Sequence, residues 1–253
     1  MKFLKQLIKP FYRKIRPPQG RQHVVDEVTT VANFGNAWLS TEIPEKQWAI
    51  AQGQLEQLRI GHTTPEFGGF IRALSSGLRG QPYRDRTLLE IGCSSGYYSE
   101  VLQYAFPDIQ YLGVDFSRDF ILFGKQKFPD LTLEVGDTTD LCFEDQQFEI
   151  VVSGSVLLHV YEWKLGVRET CRVASNILII HRTPVSSQET QLFVKTAYGV
   201  RMIEWTFNEQ ELLNEVRQYN YHLIESFPVY AGDQISDDSS SPTQFTYVFR
   251  RNL

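Results

Sequence analysis

Leu88-Leu89-Glu90-Ile91-Gly92-Cys93-Ser94-Ser95-Gly96-Tyr97-Tyr98-Ser99 is the passage from which the architecture unfolds. An apolar strand runs into a glycine turn, and a helix-compatible run starts at the second glycine. Gly92 and Gly96 let the backbone bend sharply and approach a ligand with no Cβ in the way. A helix opening near Gly96 presents N–H groups that have no partner within the helix. Strands of the same kind follow: IQYLGVD (109–115), LTLEVG (131–136), FEIVVS (148–153) and NILIIHR (176–182). Helices fit at 97–105, 118–127 and 161–174. Short apolar strands alternating with helices predict βαβ units and a parallel sheet covered on both faces.

Two late strands, YHLIESFPVY (221–230) and QFTYVFRR (244–251), have no helix between them. They must therefore be antiparallel neighbours or nearly so. Their link, 232–242, is polar and rich in Ser and Asp. Ahead of them Asn208 can cap a helix, with Glu211 at the capping-box spacing. Upstream, Pro44 to Ile60 reads as a helix with Pro44 in its first turn. Phe67, Phe70, Ile71, Leu74 and Leu78 mark another, stopped near Gly80-Gln81-Pro82. The expected organisation is a basic segment over 1–20, a helical cap over 21–82, and a ligand-binding α/β domain over 83–253 with an insertion at 183–206.

Composition sets the bounds. The chain has 253 residues, 42% hydrophobic and 22% charged, which suits a folded domain and not a disordered or fibrous chain. No apolar run approaches the roughly 20 residues that span a bilayer. A net charge of −5 does not suggest a nucleic-acid binder. Cys93, Cys142 and Cys171 form no metal-ligand spacing and read as free thiols of a reducing, cytoplasmic compartment.

The charge is uneven. Residues 1–25 hold seven basic side chains and no acidic one. Phe3, Leu4, Leu7, Ile8, Phe11 and Ile15 recur there at helical spacing. Such a helix over residues 1–16 either lies on the anionic inner face of a membrane or packs its stripe on its own domain. Pro10, which would kink a long interfacial helix, favours the second.

The ligand can be narrowed from residue chemistry. Twenty-three positions after Gly92, the second strand ends in Asp115, where a carboxylate can take both hydroxyls of a ribose. A dinucleotide asks for G-x-G-x-x-G, and only the first of the three places is glycine here: Gly92, Ser94, Tyr97. Glu90, two residues before the turn, repels a pyrophosphate but suits an ammonium or sulfonium. S-adenosylmethionine carries both.

LLEIGCSSGYYS, LGVDFS, VGDTTDL and FEIVVSGSVLLHV, in this order, resemble the motif series of the class I S-adenosylmethionine-dependent methyltransferases, small-molecule branch. The likeness is close over about 85–182 and departs from the family at Ser94, where a glycine is usual. It implies a Rossmann-like, doubly wound, mostly parallel seven-stranded sheet with an antiparallel C-terminal strand. It implies S-adenosylmethionine as cofactor and S-adenosylhomocysteine as product. Glu90, Gly92, Cys93 and Gly96 would lie along the methionine part, Asp115 on the ribose and Phe116 beside adenine. Asp137 and Thr138 would take the adenine amino group and ring, and Ser153 would face the methyl-transfer site. His159 is the candidate general base if the acceptor is a hydroxyl, and no metal is required.

The acceptor this implies is a small molecule methylated on oxygen or nitrogen: a sugar, a lipid-linked precursor or a secondary metabolite. It would be roofed by Trp38 and Trp48 from the N-terminal side and by Phe193, Tyr198, Met202 and Trp205 from the insertion. His181, with Arg182, either meets substrate or shapes the loop. Two alternatives stay open: an NAD-dependent oxidoreductase, and a protein that binds S-adenosylmethionine without turnover. The oligomeric state is not legible.

Overall fold

The computed structural model describes residues 21–24, 26–230 and 242–252. The basic segment at 1–20 and residues 232–241 of the polar link lie outside the described residues.

Alternation within each strand explains how the sheet is buried. In β2 (Thr87–Ile91), Leu89 and Ile91 face one side and Leu88 the other. In β5 (Phe148–Gly154), Val151 opposes Ile150 and Val152; in β6 (Ala174–Ser186), Leu178 and Ile180 oppose Ile177 and Ile179. Both faces are apolar, so both must be covered. One face takes α6 (Trp163–Val173) and α7 (Glu209–Arg217). The other takes α2 (Ile43–Arg59), α3 (Pro65–Gly77) and α4 (Tyr98–Ala105).

The strand order is β4 (Leu133–Val135), β3 (Gln110–Asp115), β2, β5, β6, β10 (Thr243–Arg251), β9 (Tyr221–Pro228). The first five are mutually parallel, and β10 runs antiparallel between β6 and β9. This is the Rossmann-like, doubly wound sheet with its antiparallel C-terminal strand. α5 (Arg118–Lys127) joins β3 to β4. Asn208 caps α7, its Oδ1 accepting the Glu211 N–H at 3.0 Å. Glu211 does not complete a reciprocal box; its carboxylate accepts from Thr190 and pairs with Lys164.

The sheet also extends beyond these seven strands. β6 runs on to Ser186, and β8 (Val200–Asn208) pairs with its end in parallel through Val185 and Ser186. β7 (Gln191–Ala197) pairs antiparallel with β8, and β1 (Arg21–His23) with β7. Among the described residues this gives ten strands. The expected insertion is thus a β-hairpin, and the expected helical cap opens with a strand. The hairpin turns at Tyr198-Gly199, both at positive φ (54° and 85°), as a two-residue type I′ turn demands. Between β1 and α2 lie α1 (Glu27–Phe34) and a short 3₁₀ turn, Ala37–Leu39.

Candidate functional site

A cleft of about 2680 Å³ opens over the C-terminal ends of β2, β3, β5 and β6, where open α/β sheets bind ligands. α2, the Ala37–Leu39 turn and the β7–β8 hairpin close over it.

The glycine turn forms one wall. Gly92 and Gly96 have φ of 69° and 77°. A Cβ on Gly92 would stand 1.9 Å from Val156 Cγ2; on Gly96 it would stand 2.8 Å from Leu131 Cδ2. The missing side chains thus make room for protein packing, and the turn shows the cleft its backbone at Gly92, Cys93 and Ser94. Gly96 lies behind, outside the lining. Ser94 takes φ 54°, a region disfavoured for a side-chain-bearing residue. Its N–H is held by Asp115 Oδ2 at 2.9 Å.

Asp115 ends β3, buried but lining the cleft. Oδ1 accepts the Ser117 N–H at 2.9 Å. Each carboxylate oxygen thus has one backbone donor and a lone pair to spare. Burial outweighs these two donors and pushes the carboxyl up to about 6. Glu90 lies deeper. Tyr111 donates its hydroxyl to it at 2.5 Å, yet burial still lifts its carboxyl to about 8. A buried acid that desolvation holds near neutrality, with no cation in contact among the described residues, suits a cationic ligand group. Burial also pushes the Cys93 thiol well up, so it is no nucleophile.

Phe116 presents a ring 40% exposed to the same cleft. Asp137 and Thr138 line it too; Asp137 Oδ1 accepts the N–H and hydroxyl of Thr139, both at 2.8 Å. Ser153 is not brought there. Its side chain is buried in β5 with the hydroxyl unpartnered, and Gly154 and Ser155 reach the cleft instead.

His159 ends a 3₁₀ turn, Leu157–His159, on the opposite wall. Nδ1 lies 2.7 Å from the Ile203 carbonyl, which can only accept, so Nδ1 carries the proton and Nε2 the free lone pair. Burial holds the ring down at about 4, hence neutral at pH 7. Trp38 meets it edge-on at 4.9 Å, with an indole N–H that is buried and unpartnered. Behind them Glu204 is buried between Lys195 (2.7 Å) and Arg21 (3.0 Å). Two cations thus close on one buried carboxylate. Burial works to raise Glu204, and Lys195 and Arg21 keep it below the usual range.

Of the residues expected to roof the acceptor, Trp38, Tyr198 and Met202 line the cleft. Trp48 instead packs edge-on against Phe128 at 5.6 Å. Phe193 lies under the Arg21 guanidinium at 4.2 Å, and Trp205 donates its N–H to the Val160 carbonyl at 3.0 Å. His181 is buried, with Nδ1 2.8 Å from Thr246 Oγ1, and shapes the strand end while Arg182 enters the cleft. The Arg21–Glu204–Lys195 group was not foreseen. Its only sequence signal is the Tyr198-Gly199 turn, which sets Phe193 opposite Glu204 and brings Lys195 within reach on the same face. Among the described residues no cluster of His, Cys, Asp and Glu is placed to hold a metal, and no helix is long and apolar enough to cross a membrane.

Residues 89–176 match the sequence model of a methyltransferase domain. A demethylmenaquinone methyltransferase of Renibacterium salmoninarum is 33% identical over 86 residues, 34% of this chain and 35% of that protein. The chain thus aligns with about a third of the length of the curated relatives it matches. A SAM-dependent methyltransferase of Methanosarcina mazei superposes with a TM-score of 0.54 at 16% identity, over 67% of this chain and 94% of that one. The 1,6-didemethyltoxoflavin-N1-methyltransferase of Burkholderia thailandensis, solved with 1,6-didemethyltoxoflavin and S-adenosylhomocysteine, gives 0.52 at 14%, over 72% and 78%. At such identities the structural likeness speaks for the fold.

Proposed function

We propose, from the premise that residues 89–176 are a methyltransferase domain of the class I S-adenosylmethionine-dependent family, that this chain methylates a small-molecule acceptor. The observation that carries the reading is the placement of Glu90, the Gly92–Ser94 backbone and Asp115 along one wall of one cleft. A buried acid with no described ion-pair partner, a bare backbone turn and a two-oxygen acceptor follow one another there. They match an ammonium-bearing tail, a thioether and a ribose.

The donor, when bound, supplies an electrophilic methyl on a sulfonium. The residues of the chain do the rest. Asp115 takes the ribose hydroxyls on its spare lone pairs, and Glu90 gives up its proton to face the ammonium. Phe116 covers adenine, and Asp137 and Thr138 meet its edge. Gly154 and Ser155, rather than Ser153, border the transfer path. His159, neutral with Nε2 bare, accepts a hydrogen bond from an acceptor hydroxyl or amine and orients it. In-line attack needs this positioning more than any covalent step. A base held at about 4 is a weak one, so its service is orientation first and proton removal second.

The small-molecule class is supported by the acceptors in the names of the relatives, demethylmenaquinone and 1,6-didemethyltoxoflavin. Methylation on oxygen or nitrogen fits a hydrogen-bond acceptor at His159. Calorimetry with S-adenosylhomocysteine tests the donor site, and absence of heat at millimolar ligand defeats the reading. Release of S-adenosylhomocysteine against a metabolite panel tests turnover and separates an enzyme from a protein that only binds the donor.

A further inference from the structure

Where its pairing with β5 stops, β6 carries a cation to which no described residue offers an opposite charge at contact distance. Arg182 follows the buried His181 and takes φ 55°; Ser155, across from it at the end of β5, takes φ 56°. Non-glycine residues are rarely held in this region, and such strain collects where a side chain is held for a task. The two are clasped together. The Ser155 N–H donates to the His181 carbonyl at 2.9 Å, and its hydroxyl donates to the Arg182 carbonyl at 3.2 Å. Arg182 Nε–H donates back to Ser155 Oγ at 3.0 Å.

This clasp uses Nε and fixes the plane of the guanidinium. The two Nη groups have no acceptor among the described residues, and Arg182 lines the cleft. Two carboxylates feel its charge without an ion pair to it, and the second oxygen of Glu66 is itself buried and unpartnered. Glu90 is held by the Tyr111 hydroxyl, and Glu66 accepts the Tyr230 hydroxyl at 2.7 Å. Tyr97 and Tyr98 are its other neighbours, and burial keeps both phenols protonated. Arg182 is half-buried at the cleft wall, with no anion in contact among the described residues and its Nη groups open to the cleft. Its fork of parallel N–H donors matches a planar two-oxygen anion.

We propose that Arg182, steadied by Ser155, is the carboxylate-binding residue of this cleft. Two ligands can bring that carboxylate. One is the amino-acid tail of the donor, since Glu90 and Tyr97 on the donor wall share the field of Arg182. The other is the acceptor, since β6 lies beyond β5 as seen from β2. The first source rests on the donor reading above; the second does not.

The test compares S-adenosylhomocysteine with its decarboxylated analogue, which keeps the ammonium, by calorimetry on the full chain. Wild type, Arg182→Met and Arg182→Lys are measured, with thermal melting as the check on folding. If the donor's carboxylate is the ligand, wild type prefers S-adenosylhomocysteine by at least about tenfold. Arg182→Met then erases that preference while the decarboxylated analogue binds within twofold of wild type, and Arg182→Lys keeps part of it. If the acceptor's carboxylate is the ligand, the preference is indifferent to the substitution. Benzoate then binds saturably to the wild-type complex with S-adenosylhomocysteine and not to that of Arg182→Met. The proposal is overturned if both nucleosides weaken equally in a folded variant. It is equally overturned if the preference is unchanged and benzoate binds both proteins alike or neither. A wild type that binds neither nucleoside defeats the donor reading, and benzoate titrated into the protein alone still decides for or against Arg182.

Discussion

The two walls of the cleft are made differently. The wall proposed to hold the donor is mostly backbone: the turn at Gly92–Ser94, pinned by Asp115 and packed on Val156. The opposite wall is mostly side chain: His159, Trp38, and Lys195 with Glu204 of the hairpin, brought from three separate parts of the chain. A backbone wall fixes one ligand shape and tolerates little change. A side-chain wall can be refitted residue by residue without moving the sheet beneath it. Substitutions should therefore act on all ligands and on folding at the first wall, and selectively at the second.

The largest effect is expected at Gly92. Alanine there must displace Val156 from 1.9 Å while keeping φ 69°. Overpacking and the left-handed region together cost about 2–5 kcal/mol. Gly92→Ala should melt well below wild type and lose S-adenosylhomocysteine binding. A stable variant with intact binding would mean that the turn is not the rigid wall described. Next is Asp115→Ala, which removes the proposed ribose acceptor together with the partners of the Ser94 and Ser117 N–H groups. It should weaken S-adenosylhomocysteine by about 3 kcal/mol in calorimetry.

Glu204→Leu breaks the other wall. It strands Lys195 and Arg21, whose side chains retain 18% and 22% exposure, so water recovers part of the loss. A stability cost of about 1–3 kcal/mol is expected, below that of a fully buried pair. Affinity for S-adenosylhomocysteine should stay within twofold. A parallel loss of donor binding would erase the distinction between the walls.

Glu90 gives a subtler signature. With its carboxyl at about 8, it is mostly protonated at pH 7 in the free protein. An ammonium beside it favours the ionised form, so binding S-adenosylhomocysteine should release close to one proton. Calorimetry at pH 7 in buffers of different ionisation enthalpy reads this directly. Affinity should rise between pH 6 and 8, and Glu90→Gln should abolish both the proton release and the rise.

The same asymmetry governs what the sequence could reveal. The first wall is local: LLEIGCSSG and LGVD each lie within a few residues, five of the seven central strands follow from apolar runs among helices, and the last two from the lack of a helix between them. Even there the placement of Ser153 missed by a residue. Whether a side chain points into a cleft depends on where a strand ends, which a pattern fixes only to within one or two residues. The hairpin was harder. In β8, Met202 to Phe207 is buried throughout, so the alternation that marks a half-exposed strand is absent. What remains is Tyr198-Gly199, two residues in a run of aromatics that reads as a lid. The pairing of Arg21 with Glu204 spans most of the chain and leaves no local trace.

The smallest expected effect concerns acid stability, where the walls oppose each other. Glu90 and Asp115 have folded values raised to about 8 and about 6, so the folded state holds more protons than the unfolded state. Their contribution to stability is full at low pH and declines as pH rises from about 4 through those values. His159 is lowered to about 4, and His181 is held well down by burial and by Arg182. Here the unfolded state holds more protons, so their contribution is full above about 6.5 and is lost as pH falls toward 4. Between pH 4 and 6.5 the slopes partly cancel, and the wild type should show a shallow dependence of melting temperature on pH. Removing one side of the balance should expose the other. His159→Phe should flatten the acid-side loss, so that its stability relative to wild type improves steadily from pH 6.5 to 4. Glu90→Gln should do the reverse, gaining on wild type from pH 5 to 8. Denaturant titrations across this range measure both, and two variants with the same slope would show that these groups do not divide between the walls as described.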